Sequence, residues 1–304
     1  MTTRVWIDTD LGSDVDDALA LAYAIRHPEL EVVGVSTVFG DVDLRTRIAK
    51  ALLGLAGSGE RPPPPVVTGL GKPLTPERKG VMFGHEGRGL LADAKPRPRT
   101  LRDPDPEARV RELSAGLAEA RPDALVAIGP LTNLGALVEA GVSLPPLSIM
   151  GGKVAAGKIP GAPAGIEEWN WFSDPRAAQS VLAAGHAELP RVVPAEVTFR
   201  TALVPGDVER LAEGDPLARA LARLCEEWLV FLGESLDAQR PRVALHDPLT
   251  VATLVDDSLC PFSSQRLRVD ARGATHCESG APNAQVATDV QVDTLRVHLM
   301  ETWL

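Results

Sequence analysis

The segment VWIDTDLGSDVDDALALAYAI, residues 5–25, decides the fold of this chain. Val5–Ile7 is a short run typical of a buried strand, and it ends directly in acidic residues. From Ala18 to Ile25 the apolar residues recur at near-helical spacing. The segment therefore predicts a strand that leads through an acidic loop into a helix.

The same alternation of strand and helix recurs along the chain. Further strands are predicted at 31–38, 66–68, 124–130 and 147–152, and helices at 44–55, 131–140, 175–185, 215–236 and 246–255. This order predicts an α/β fold with a mainly parallel central sheet flanked by helices, whose site lies at the carboxyl ends of the strands. Residues 265–270 and 286–293 predict a small C-terminal β extension. We expect residues 1–304 to form a single domain.

Composition and charge exclude several classes of protein. The chain has 31 Lys and Arg against 41 Asp and Glu, a formal charge of −10, which would repel phosphate backbones and anionic lipid. We therefore expect neither a nucleic-acid nor a membrane partner. The amino terminus contains one short apolar stretch, which is too little for the core of a signal peptide. This favours a cytoplasmic protein. The three cysteines show no metal-ligand spacing.

Five aspartates crowd the loop after the first predicted strand. In the nearby sequence only Arg4 offers compensating charge, so this density of carboxylates indicates a bound cation. Oxygen ligands suit Ca²⁺ or Mg²⁺, whereas zinc would want His or Cys ligands, and we favour calcium. Helix capping and solvated loop charges are the alternative explanation, but they account for only one or two of the five. The five are Asp8, Asp10, Asp14, Asp16 and Asp17.

The stretch DTDLGSDVDDALAL, residues 8–21, resembles the amino-terminal signature of the inosine–uridine preferring nucleoside hydrolases, usually DTDPGxDDAxAL. More motifs follow in that family's order: GPLTNL (129–134), MGG (150–152), EWNWFSDP (168–175), EVT (196–198) and HDP (246–248). The resemblance implies a Rossmann-like topology and hydrolysis of the N-glycosidic bond of a ribonucleoside to base and ribose. It also implies a role in nucleoside salvage, a calcium-held water activated by an aspartate, and a homodimer or homotetramer.

The resemblance also assigns the metal and catalytic residues. Asp10, Asp17 and Asp247 should bind the ion together with the main-chain carbonyl of Thr132. Asp10 should also take the proton from the attacking water. Asp16 should hold the sugar or the water, and His246 is a candidate proton donor to the departing base.

Other positions match residues that bind the substrate. Glu168 and Asn170 match positions that bond the ribose hydroxyls. Trp169 and Trp171 beside them either stack on the base or lie in the core, where most buried tryptophans are found. GHEGRG (84–89) resembles the family's loop near the substrate, in which His85 either contacts the substrate or is a solvated loop residue.

The chain departs from the family pattern at three places. GSDVDD stands where GxDD is usual, so Asp14 is either a ligand or a loop charge. Asp41 stands at the position of a common substrate-contacting asparagine, and an ionised carboxylate donates no hydrogen bond. GAPAGIEE (161–168) lacks a second common asparagine. Ordinary inosine or uridine and a modified nucleoside both stay open as substrates.

Two alternatives remain at this stage. A phosphohydrolase of the haloacid-dehalogenase type would use Asp8 as nucleophile with Mg²⁺, although Gly12 replaces its usual Thr or Val. A non-catalytic relative that binds a nucleoside or sugar would keep the metal site without the reaction.

Overall fold

A computed structural model describes residues 2–57, 62–92, 105–154, 167–235 and 241–304. Within them, nine strands form one sheet in the order β3-β2-β1-β4-β5-β6-β9-β7-β8. The strands are β1 Thr3–Thr9, β2 Leu30–Thr37, β3 Val66–Thr68, β4 Ala124–Ala127, β5 Leu147–Met150, β6 Arg191–Val193, β7 Phe262–Val269, β8 Thr275–Glu278 and β9 Ala284–Ala287.

The sheet is parallel from β3 to β9 and antiparallel only where β7 and β8 join it. The prediction of a mainly parallel sheet with a small C-terminal β extension is therefore confirmed, although the strand expected at 286–293 ends at Ala287 and a helix begins at Val292. From β1 the chain builds outward to β3, then returns to add β4 on the other side of β1. Such a reversal opens a crevice at the carboxyl ends of the strands, where ligands bind in doubly wound folds.

Helices cover both faces of the sheet. They are α1 Asp16–Arg26, α2 Val42–Ala56, α3 Pro106–Ala120, α4 Thr132–Glu139, α5 Trp169–Ser173, α6 Pro175–Ala183, α7 Ala195–Thr198, α8 Pro205–Glu213, α9 Pro216–Ser235, α10 His246–Ala252 and α11 Val292–Trp303. Asp174 caps α6 and Pro175 occupies its first turn, as residue preferences at helix starts predict. Among the described residues, no helix is both long and apolar enough to cross a membrane.

Strand β1 shows how the core divides into two layers. Its side chains alternate, so Val5 and Ile7 join the core under α1, α2, α9, α10 and α11. Trp6 joins the opposite core, under α3, α4 and α6. Because β1 is buried on both faces, the polar residues that end it are carried into the interior of the protein.

Candidate active site

Three carboxylates lie close together near the junction between β1 and α1. Asp16 and Asp17 form the first turn of α1, and Asp247 lies in the first turn of α10. Each offers an oxygen, and these oxygens all lie within 4.8 Å of one another. All three residues are buried. Helices α1 and α10 thus bring together acidic groups from opposite ends of the chain.

The electrostatics of this group favour a bound cation. Burial raises the pKa of each of the three carboxyl groups, Asp16, Asp17 and Asp247, well above the usual range for aspartate. Repulsion among neighbouring carboxylates raises each pKa further. A divalent ion would relieve both effects, and an all-oxygen donor set suits a hard ion. The residues present therefore fit a metal site.

Asp10 lies beside this group, and its charge contributes to raising the pKa of all three carboxylates. The three carboxylates that lie within 4.8 Å of one another nevertheless include Asp16, which was predicted to hold the sugar or the water, and do not include Asp10. The ligand and base roles of Asp10 therefore stay predictions. Thr132 begins α4, and its hydroxyl donates to Oδ2 of Asp174 at 2.7 Å, while the role of its carbonyl stays a prediction.

Asp14 and Asp8 lie in the same acidic segment but outside the close set. Asp14 is half-buried, and its Oδ1 accepts the N–H of Val15 at 2.6 Å. Asp8 is buried, with one oxygen bonded to Ser36 and, at 2.7 Å, to Asn133. Its other oxygen has no hydrogen-bond partner among the described residues. An aspartate so enclosed is not an accessible nucleophile.

A second arginine, distant in sequence from the acidic loop, also offsets its charge in the structure. Arg4 is exposed at the start of β1, where it contacts Glu31 at 3.9 Å. Arg45, on α2, is completely buried and places Nη2 3.8 Å from Oδ2 of Asp10. Its charge opposes the effect of burial on the pKa of Asp10. This arginine comes 28 residues after Asp17 in sequence, so the local charge pattern did not reveal it.

His246 begins α10, directly before Asp247. Its Nδ1 lies 2.6 Å from the hydroxyl of Thr198, and its ring meets the edge of Phe199 at 4.6 Å. Burial lowers the pKa of His246 to about 4. The ring is therefore neutral at pH 7, and a proton donated to a leaving group has to come from a ring N–H of the neutral form.

Glu168 and Asn170 are held at the carboxyl ends of the strands. Glu168 accepts the main-chain N–H groups of Gly152 at 2.8 Å, Asn170 at 2.7 Å and Trp171 at 3.0 Å. Burial raises its pKa to about 7. The amide nitrogen of Asn170 donates to the carbonyl of Ile128 at 3.1 Å and to that of Met150 at 3.3 Å. The ribose contacts of both residues stay predictions.

The two tryptophans beside Asn170 differ sharply. Trp171 is completely buried, and a Cβ built on Gly151 would lie 2.2 Å from its Nε1, so the indole fills the space that this glycine leaves. Of the two roles left open for Trp171, base stacking and core packing, the structure shows core packing. Trp169 is 41% exposed and turns its ring to Phe39 and Phe83, with centroids 6.2 and 5.9 Å away. Its base-stacking role stays a prediction.

Further aromatic rings continue from Trp169. Phe83 stacks on His85 with centroids 6.2 Å apart, and His85 lies 4.4 Å from the ring of Phe231 on α9. We call these rings the aromatic wall: Phe39, Phe83, His85, Trp169 and Phe231. Sequence reasoning missed Phe39, Phe83 and Phe231, because they come from three distant segments without a shared spacing. Nε2 of His85 donates to the carbonyl of Ser13 at 2.7 Å, which joins the wall to the acidic loop.

Asp41 caps helix α2. Its Oδ1 accepts the N–H of Leu44 at 3.0 Å, and the residue is buried. The two residues before it, Phe39 and Gly40, both have positive φ, 64° and 77°, which turns the chain sharply after β2. The predicted contact of Asp41 with the substrate is untested.

The model of the inosine–uridine preferring nucleoside hydrolase family matches residues 5–296. The chain belongs to this family. It is therefore an N-glycosidase that hydrolyses ribonucleosides, and the phosphohydrolase alternative is excluded. The family uses a metal ion, and the buried acidic cluster supplies ligands for one.

Named relatives agree with this placement. A probable uridine nucleosidase 2 of Arabidopsis thaliana is 31% identical over 284 residues, covering 90% of this chain and 83% of its own. A pyrimidine-specific ribonucleoside hydrolase RihA of Shewanella baltica is 32% identical over 274 residues, covering 85% and 80%. The solved plant nucleoside hydrolase PpNRh1 superposes with a TM-score of 0.78 at 26% identity, covering 100% of this chain and 99% of its own.

Proposed function

We propose that this nucleoside hydrolase is calcium-dependent and that Asp10 activates the attacking water. The observation that supports this most directly is the meeting of Asp16, Asp17 and Asp247 within 4.8 Å of one another. Three buried carboxylates are destabilised without a cation, and their oxygens are ligands that Ca²⁺ prefers. Asp10 and the carbonyl of Thr132 complete the proposed site.

Cleavage of the glycosidic bond places positive charge on the ribose while the base departs. A calcium ion, when bound, would hold the attacking water and make it more acidic. Asp10 accepts the proton of this water, and the surrounding carboxylates stabilise the positive ribose. His246 acts at the base: when Nδ1 accepts the Thr198 proton, the neutral ring carries its own proton on Nε2, which is then available to the leaving group.

The substrate lies between the acidic group and the aromatic wall in this proposal. Glu168, Asn170 and Asp41 face the ribose, and Trp169 and His85 contact the base. The names of two relatives, a uridine nucleosidase and a pyrimidine-specific hydrolase, favour a pyrimidine ribonucleoside as substrate. Asp41 leaves room for a modified nucleoside, because its carboxylate replaces an amide donor.

The test is release of free base and ribose from a panel of ribo-, deoxyribo- and base-modified nucleosides, with and without a calcium chelator. We expect the protein to hydrolyse uridine or cytidine. A calcium chelator should abolish this activity, and added calcium should restore it. Binding of nucleosides without any cleavage would contradict the proposal. Activity that survives complete chelation would contradict its calcium component.

The chain's organisation is part of the proposal. A single domain over residues 1–304 is supported by one sheet that contains strands from Thr3 to Ala287. The homodimer or homotetramer and the cytoplasmic location stay predictions, for which light scattering and cell fractionation are the measurements.

A further inference from the structure

Arg45 is a completely buried cation, and three of its four hydrogen bonds go to main-chain oxygens of two loops. Its Nε donates to the carbonyl of Phe39 at 2.6 Å, and Nη1 donates to the carbonyls of Asp10 and, at 2.9 Å, Leu11. Nη2 donates to the hydroxyl of Ser13 at 3.1 Å. One guanidinium group therefore ties the acidic loop after β1 to the turn after β2.

A third segment is attached through Ser13. Its hydroxyl donates to Oε1 of Glu86 at 3.3 Å, and Glu86 also accepts the N–H of Phe83 at 2.5 Å and of Gly84 at 2.8 Å. Glu86 is buried. The path from Arg45 through Ser13 to Glu86 thus reaches the loop that carries Phe83 and His85 of the aromatic wall.

These contacts hold the part of the chain that departs from its family. The acidic loop is two residues longer than the usual GxDD signature, and Ser13 lies at the start of the longer stretch. A longer loop has more conformations to lose when it binds an ion, so it gains most from a fixed scaffold. Arg45 supplies that scaffold, since its rigid planar fork bonds several acceptors at once.

We propose that Arg45 is a positioning residue that holds the lengthened acidic loop in its ion-binding shape and couples it to the substrate-facing turn at Phe39. This inference rests on the proposed function, because it assumes that the ion and the nucleoside bind at this site. It assigns Arg45 no contact with either of them.

Charge and geometry act in opposite directions here. A positive group 3.8 Å from Asp10 weakens the attraction of the site for a cation, whereas the fixed loop strengthens binding. Arg45→Lys separates the two effects: lysine keeps the charge but is a point donor that cannot bridge the same acceptors. If geometry dominates, this variant binds calcium more weakly.

The experiment is calorimetric titration of calcium into the wild-type protein, R45K and the control R47K, which makes the same change at an exposed position of α2. We expect R45K to bind calcium roughly 10- to 100-fold more weakly, the range typical when a group that orients metal ligands is lost. R47K should match the wild type. At saturating calcium, KM for uridine should also rise in R45K, because the turn at Phe39 is no longer held.

Three outcomes separate the possibilities. Calcium affinity and KM of R45K equal to the wild type, with only a lower Tm, would overturn the inference and leave a structural role. Absence of calcium binding in the wild type would overturn the proposed function, and the inference with it. If R45K does not fold, S13A decides: weaker calcium binding supports the inference, and unchanged binding overturns it.

Discussion

The main-chain N–H of Asp247 donates a hydrogen bond of 3.4 Å to Oδ2 of Asp16, although 231 residues separate the two in sequence. This bond places the first turn of α10 against the first turn of α1. Their carboxylates therefore repel each other at short range unless a cation lies between them. Loss of the ion should affect folding stability as well as activity.

Calcium should stabilise the protein, and more so at higher pH. Burial raises the pKa of Asp8 and Glu168 to about 7 each. A carboxyl group whose pKa is raised by folding contributes stability below its unfolded pKa and loses it as pH rises through the folded value. The metal-free protein should therefore lose stability between about pH 4, the ordinary pKa of a carboxyl group, and about pH 7.

Thermal melts with chelator and with calcium across this pH range test the expectation. Calcium at about 100 times its Kd should add roughly 2.7 kcal/mol to the free energy of unfolding. If the Tm of the metal-free protein rises with pH over this range, the instability does not come from buried carboxyl groups with a raised pKa.

Asp247→Asn and Asp10→Asn should fail in different ways. D247N removes one of three close carboxylates, so we expect calcium binding to be lost and the metal-free protein to be more stable than wild type. D10N should lower kcat about 10²- to 10⁴-fold even at saturating calcium, the usual contribution of a general base. Calorimetry and steady-state kinetics measure both effects. The exposed Asp293→Asn is the matched control, and a D10N enzyme with normal kcat would remove Asp10 as the base.

The loss of activity caused by His246→Gln should depend on the leaving group of the substrate. If His246 protonates the base, uridine hydrolysis should fall about 10²-fold or more, since proton transfer typically contributes that much. A nitrophenyl riboside, whose leaving group departs without a proton, should be hydrolysed nearly as fast as by the wild type. Equal losses on both substrates would show that His246 acts in some other way.

The two tryptophans provide a contrast between binding and packing. Trp169→Ala should raise KM for uridine about tenfold with little change in stability, since stacking on a base contributes on the order of 1–3 kcal/mol. Trp171→Ala should lower the free energy of unfolding by about 3–5 kcal/mol, as large core truncations do. Chemical denaturation and kinetics of the two variants check this pairing, which an unchanged KM in W169A would contradict.

Asp41→Asn should improve activity on ordinary ribonucleosides. Asn and Asp cap helices about equally well, so α2 should keep its stability. The amide adds a donor that an ionised carboxylate lacks, so KM for uridine should fall several-fold. Kinetics on a nucleoside panel measure this effect. A higher KM for uridine in D41N would indicate that the carboxylate is selected for a different substrate.

Much of the fold could be predicted from residue patterns, because β1 to β5 are short apolar runs and helices such as α1, α2 and α9 repeat an apolar face. The short strand β6 and the helices α3 and α8 were not predicted. The acidic segment was predicted at the end of β1, where the structure places it. The approach of Asp247 to it rested on family resemblance, since no local pattern links a residue of α10 to one of α1.

Arg45 could not be predicted from charge alone, because arginines on helices usually face water. A signal was present nonetheless: Arg45 lies three and four residues before Ile48 and Ala49, which puts it on the buried stripe of α2. The choice between core packing and base stacking for Trp171 could not be made from sequence for a related reason. Only the tertiary structure shows that Gly151 leaves room for its indole.

The distance in sequence between the acidic loop and α10 also matters during synthesis. A nascent chain that has emerged as far as β6 carries all six strands from β3 to β6 in the sheet order, yet it lacks Asp247 and so cannot complete the carboxylate set. The carboxylate set can therefore close only after α10 has been synthesised, and a chain that ends at β6 also lacks the cover of α9, α10 and α11 on one face of β1.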